Sequence, residues 1–174
     1  MIPVPVGPNG VDLAAVAEAV ARTTPGLIYL TPALQTPTGT VMTESAGREI
    51  VRIAAESAVP VIDDRVLADI ELETPPSPPL ARYDSAGVVI TVGSASKIFW
   101  AGLRFGWVRA PVPVIAQLAW LKVVAGLGSN VITQVVTARL LADIEASRRF
   151  IREDMERHYR NLTALLGEHL PNWT

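Results

Sequence analysis

The chain has no cysteine, two histidines and 6% aromatic residues, and each shortage removes a class of function. Without thiols there is no disulfide, no thiolate metal centre and no cysteine nucleophile, a usage compatible with the expected cytoplasmic location. His158 and His169 stand alone as candidate ligands, and two histidines do not make a metal site. Charge of one sign is also lacking: 15 Lys and Arg against 17 Asp and Glu leave a net charge of −2, so no basic surface for nucleic acid is expected. Met1 to Val6 has neither the basic start nor the apolar run of a secretory signal. The uncharged stretch between Lys122 and Arg139 carries Gly126, Gly128, Ser129, Asn130 and Gln134. It is too short and too polar for a membrane span.

What remains is a globular composition. The 174 residues are 49% hydrophobic and 18% charged, enough for one domain with a core of its own. Asp12 is placed to cap a helix through Leu13, Val16, Ala17 and Val20, and Thr43 to cap another with Ile50, Ile53, Ala54 and Ser57 on one face. Leu27–Leu30, Val59–Ile62, Val88–Val92 and Phe105–Val108 read as short strands. Val4–Val6, between prolines, reads as an edge or irregular strand. Thr74 to Pro79 reads as a polyproline loop. Helices are predicted over about 114–124, 131–143 and 146–170. Helices alternating with β-branched strands point to an α/β fold with a mostly parallel sheet flanked by helices.

The chemistry concentrates in Ser94-Ala95-Ser96-Lys97, followed seven residues later by Arg104 and then Gly106-Trp107. The strand Val88–Val92 is expected to stop at Gly93 and the serines, leaving Lys97 outside a strand's carboxyl end, where open α/β sheets bind ligands. Two hydroxyls and a guanidinium suit an anionic group such as phosphate. A partly desolvated lysine beside a second cation becomes a usable amine nucleophile for Schiff-base chemistry. Asp63-Asp64 ends the neighbouring strand, so a carboxylate and the amine can face one crevice.

With these residues in view, the chain resembles the pyridoxal-phosphate-dependent aminotransferases of class I and II, fold type I. The wording is most similar to the aminotransferase-like domain of MocR-type transcription regulators. Three blocks match in order: Pro37-Thr38-Gly39, Asp63-Asp64, and Ser94-x-Ser96-Lys97 with Arg104. Tyr29-Leu30-Thr31-Pro32 ahead of Gln35-Thr36-Pro37-Thr38-Gly39 is the MocR-like part. The resemblance implies pyridoxal 5'-phosphate as cofactor and an amino acid or a 2-oxo acid as the small-molecule partner. It implies that Lys97 forms a lysine aldimine with the cofactor and then moves the substrate proton. Asp64 would hold the pyridine nitrogen protonated; of the adjacent pair it is favoured on the family pattern, with Asp63 the open alternative. Ser94 and Arg104 would bind the phosphate, with Ser96 as a further candidate, and Thr36 would lie beside the ring hydroxyl.

The departures from the family pattern bear on activity. Thr36 stands where the aminotransferases commonly have asparagine, and Val66 and Leu67 stand where they usually place a tyrosine for the same ring oxygen. Each absent hydrogen bond is worth about 0.5–1.5 kcal/mol. The resemblance also implies that the chain is a central slice. Residues 1–145 would be part of the cofactor-binding large domain, and 146–174 a long helix leading to a truncated small domain. Transamination impaired by truncation is the leading expectation. An effector- or cofactor-sensing domain without turnover, and an inert remnant, are the others. No contact with nucleic acid or membrane is expected through this chain. Unpaired strand edges would favour a homodimer or looser association. The tryptophans Trp100, Trp107 and Trp120 are expected to pack. The charges from Arg148 to Arg160 are expected to form a solvated helix face.

Overall fold

Asp12 starts the first helix for the reason its position suggests: its carboxylate accepts the Ala15 N–H at 3.0 Å. In the computed structural model, which describes residues 1–70, 77–126 and 128–173, that helix is α1, Leu13–Thr23. Thr43 caps α2, Glu44–Ser57, by accepting the Ala46 N–H at 3.3 Å. Both helices turn apolar stripes inward, Val16 and Val20 from α1 and Ala46, Ile50, Ile53 and Ala54 from α2. Truncating the fully buried Ile50 to alanine would cost about 2–5 kcal/mol.

The surface they cover is one face of a four-stranded sheet. Its strands run in the order β3 (Ile28–Leu30), β4 (Val61–Asp64), β5 (Val89–Ser94) and β6 (Gly106–Arg109). The first three are parallel and β6 returns antiparallel on β5. Register decides what each face carries. Leu30, Asp63 and Thr91 lie in one row on the helix-covered face, while Tyr29, Ile62 and Ile90 lie in one row on the other, which also bears Asp64. Leu30, Val61 and Val89 join Ile50 and Leu80 in the core.

Several expectations shift. Val4 lies outside any strand. Val6–Gly7 (β1) pairs only with Gly10–Val11 (β2), as a separate antiparallel hairpin. Pro3, Pro5 and Pro8 deny this segment the amide donors a ladder needs. β5 does not stop at Gly93 but continues through Ser94, because β6 pairs with it there, Gly93 opposite Trp107 and Ser94 opposite Gly106. The expected polyproline loop falls partly outside the described residues. Its described part, Ser77 to Pro79, runs into one short 3-10 turn, Leu80–Arg82.

After β5 come α3 (Ala95–Ile98), then α4 (Val112–Gly126), α5 (Val131–Ala142) and α6 (Ile144–His169). α4 buries no residue and is apolar all round, with Val112, Trp120 and Val124 exposed. Of the tryptophans expected to pack, Trp100, Trp107 and Trp120 are all exposed. Trp100 folds back over Gly102 and Trp107 lies across Gly93. Arg148 departs from the expected solvated face. Its Nε and Nη2 donate to Asp69 at 2.8 and 2.6 Å, fastening the start of α6 to the turn that follows β4. No helix among the described residues is long and apolar enough to cross a membrane.

Candidate functional site

The carboxyl ends of the parallel strands open on a cleft of about 1290 Å3 whose lining includes Tyr29, Thr31, Gln35, Thr36, Asp64, Val66, Leu67 and Lys97. Each arrives by local necessity. Asp64 is the last residue of β4. Ser94 ends β5 and caps α3, its Oγ accepting the Ser96 N–H at 3.1 Å. That cap turns the chain so that Lys97, in the only turn of α3, reaches the cleft. Thr36 is carried on a turn closed by two bonds, Gln35 N–H to Thr40 O at 2.9 Å and Gly39 N–H to Gln35 O at 2.7 Å. Gly39 sits at φ +71°, a conformation that costs glycine nothing.

The acidic pair separates cleanly, because successive side chains on a strand point to opposite faces. Asp63 is fully buried on the helix side. Its Oδ2 accepts the Leu80 N–H at 3.0 Å, and its Oδ1 lies 4.0 Å from Arg65 Nη1. Burial pushes its carboxyl up, against the opposing pull of the Arg65 guanidinium and the Leu80 amide. Asp63 therefore stitches β4 to the segment entering the Leu80 turn. Asp64 faces the cleft, where Oδ1 accepts the Val66 N–H at 2.9 Å and Oδ2 accepts the Tyr29 O–H. Tyr29 is pushed up to about 12, first by that hydrogen bond to Asp64, then by partial burial and by the nearby negative charge.

The amine and one carboxylate thus share the cleft with Thr36. Lys97 is exposed there rather than partly desolvated as expected. Ser94, Ser96 and Arg104 are not in the cleft lining but lie at the same end of β5. The Ala95 N–H donates to Phe105 O at 3.0 Å, which brings the residue after Arg104 against the start of α3. Arg104 itself is exposed at φ +48°. Among the described residues its guanidinium takes part in no hydrogen bond or ion pair. Tyr29, noted in the sequence only as part of the MocR-like wording, is the cleft residue to which sequence reasoning gave no role. The signal was present: strand alternation puts Tyr29 on the face opposite buried Leu30, which is the face of Asp64.

A family model described as aminotransferase class I and II matches residues 2–173. The chain belongs to that family. Its curated relatives include an uncharacterized HTH-type transcriptional regulator, YisV, of Bacillus subtilis, 33% identical over 79% of this chain and 28% of the relative. The HTH-type transcriptional regulator NorG of Staphylococcus aureus is 27% identical over 84% of this chain and 34% of its own. Among solved structures, LysN is an α-aminoadipate aminotransferase from Thermus thermophilus, complexed with N-(5'-phosphopyridoxyl)-L-leucine. It superposes with a TM-score of 0.89 at 26% identity, over 98% of this chain and 45% of that one. The aminotransferase fold is therefore the fold type I architecture that the resemblance implied, and the regulator-like wording has its counterpart in these relatives. The chain spans about a third or less of the two regulators and under half of LysN.

Proposed function

We propose that this chain carries the pyridoxal-phosphate-binding half-site of an aminotransferase-like domain, and that the protein moves an amino group between an amino acid and a 2-oxo acid. One observation carries the reading: the Lys97 amine and the Asp64 carboxylate line the same cleft, while Asp63 is turned to the core. The donor set fits the group. A carboxylate offers about four lone-pair sites, and Asp64 spends one each on Val66 and Tyr29. Room remains for a pyridinium N–H. Lys97 offers an amine for the aldehyde, and Ser94, Ser96 and Arg104 at the neighbouring strand end offer two hydroxyls and a guanidinium for the phosphate.

When bound, the cofactor supplies an electron sink for a carbanion. The protein's own part is positional and protonic. Asp64 keeps a proton on the ring nitrogen. Lys97 Nζ would hold the aldehyde end and would carry the proton taken from the substrate α-carbon. Thr36 and Thr40, both in the cleft lining, flank the Pro37-Thr38-Gly39 turn. Val66 and Leu67 offer the ring hydroxyl no hydrogen bond, so control of proton transfer at that end is weak.

A second reading has its own support. The relatives YisV and NorG are HTH-type transcriptional regulators, and a site strong at the ring nitrogen and poor at the ring hydroxyl suits sensing an effector without turnover. Mixing the purified chain with pyridoxal phosphate, then reducing with borohydride, tests both readings at once. The chain has two lysines, Lys97 and Lys122, so peptide mass mapping identifies the labelled one. Label on Lys97, lost in Lys97→Ala, is the expected result; label on Lys122 alone, or none, refutes it. Conversion of bound cofactor to the pyridoxamine form by added amino acids then separates transfer from sensing.

A further inference from the structure

A carboxylate at a strand end turns easily about its terminal torsion, which is broad and two-fold rather than confined to three wells. Asp64 is held on both oxygens, Oδ1 by the Val66 N–H at 2.9 Å and Oδ2 by the Tyr29 O–H. One bond leaves a hinge; two fix the plane. Tyr29 reaches Oδ2 because β3 and β4 run parallel with Tyr29 opposite Ile62, one side-chain repeat before Asp64 on the same face. Packing does not explain the ring, since Tyr29 is 57% exposed. Folding gains little from the bond, because a hydrogen bond that water can replace has a small net worth.

We infer that Tyr29 is a positioning residue for the cofactor's ring nitrogen, holding the Asp64 carboxylate in the plane at which a pyridinium N–H meets a free lone pair. The inference rests on the cofactor reading above. It extends that reading by a residue outside the three sequence blocks, on a different strand from both Asp64 and Lys97. The phenol keeps its proton up to about pH 12, so the donor is present throughout the working range. A site residue must be held to within about 10–20° of its productive orientation to act well. Two protein bonds on one carboxylate supply that restraint before any ligand arrives.

Tyr29→Phe removes the hydroxyl and keeps the ring. Its effect is read as the dissociation constant for pyridoxal phosphate and for the deaza analogue, in which C–H replaces the ring nitrogen. Expected is a loss of about three- to tenfold for pyridoxal phosphate, with the deaza analogue bound as well as by the unsubstituted chain. Retained analogue binding also certifies that the variant is folded. Equal losses for both ligands mark a general structural role and overturn the inference. So does an unchanged affinity for pyridoxal phosphate. Failure of the unsubstituted chain to take up either aldehyde overturns the cofactor reading itself, and this inference with it.

Discussion

Gly93 is the position where the fold and the site can be tested by one methyl group. A Cβ built there would lie 2.3 Å from Trp107 Cε2 and 2.4 Å from Cζ2, where carbon atoms rest at about 3.5–4.0 Å. In Gly93→Ala the indole must move by more than an ångström. Trp107 is 44% exposed, so the ring can swing outward rather than strain the backbone. The cost then sits toward the lower part of the overpacking range, about 1–2 kcal/mol, including a cross-strand pair worth about 0.2–1 kcal/mol. With a urea slope of about 2 kcal/mol/M, the midpoint falls by about 0.5–1 M. Far-UV circular dichroism is the suitable probe, since tryptophan fluorescence changes with the second substitution. In a Trp107→Ala background the same Gly93→Ala change meets no ring and should cost less than about 0.5 kcal/mol, or stabilise by trimming unfolded-state freedom. The coupling energy is then about 1–2 kcal/mol. Equal costs in both backgrounds would refute the argument that Gly93 exists to admit Trp107.

The Tyr29 phenol should titrate at about 12 by ultraviolet difference absorbance, and in Asp64→Ala it should fall toward the ordinary range, with only the effect of partial burial left; no change would dissolve the contact. Burial raises the Asp63 carboxyl, so its contribution to stability is greatest in acid, below its unfolded value, and falls as pH rises through its folded value. Asp63→Asn should therefore gain on the parent chain in urea midpoint as pH rises from acid to neutral, and a difference independent of pH would contradict this. The exposed apolar residues of α4 and α5, such as Val112, Trp120 and Ile132, should drive self-association. Sedimentation at micromolar concentration should show species larger than a monomer.

The helices and their caps were legible because Asp12 and Thr43 act through residues three positions on, and the apolar stripes of α1 and α2 repeat locally. The strands were legible as β-branched runs, but not their ends. β5 extends through Gly93 only because β6 lies beside it, a pairing that no local pattern encodes. The same gap in local information hid the contact between Tyr29 and Asp64. Strand alternation fixes the face a residue occupies, yet its partner depends on the β3–β4 register, which is set by the packing of α1 and α2. The Asp63–Asp64 ambiguity was of this kind as well. The sequence offers two adjacent carboxylates, and only the direction of the core tells them apart.

On the proposed reading, the two ends of the ring site are built unequally, and that asymmetry bears on the choice between transfer and sensing. At the ring-nitrogen end, Asp64 is braced by Val66 and Tyr29. At the ring-hydroxyl end, Val66 and Leu67 bring side chains without a donor to the cleft, and Thr36 sits on a turn in which Gln35 Oε1 accepts the Thr38 N–H and Gln35 Nε2 donates to the Thr36 carbonyl. Braced nitrogen contacts favour holding the cofactor, whereas hydroxyl contacts govern how readily protons move during turnover. Two absent hydrogen bonds at about 0.5–1.5 kcal/mol each amount to about five- to 150-fold in rate if both act in the transition state. Restoring one, with Thr36→Asn, should therefore speed conversion of bound cofactor to its pyridoxamine form by several-fold while barely changing cofactor affinity. A gain in affinity without a gain in rate would mean that the hydroxyl end serves binding, and would remove the physical ground for the sensing reading.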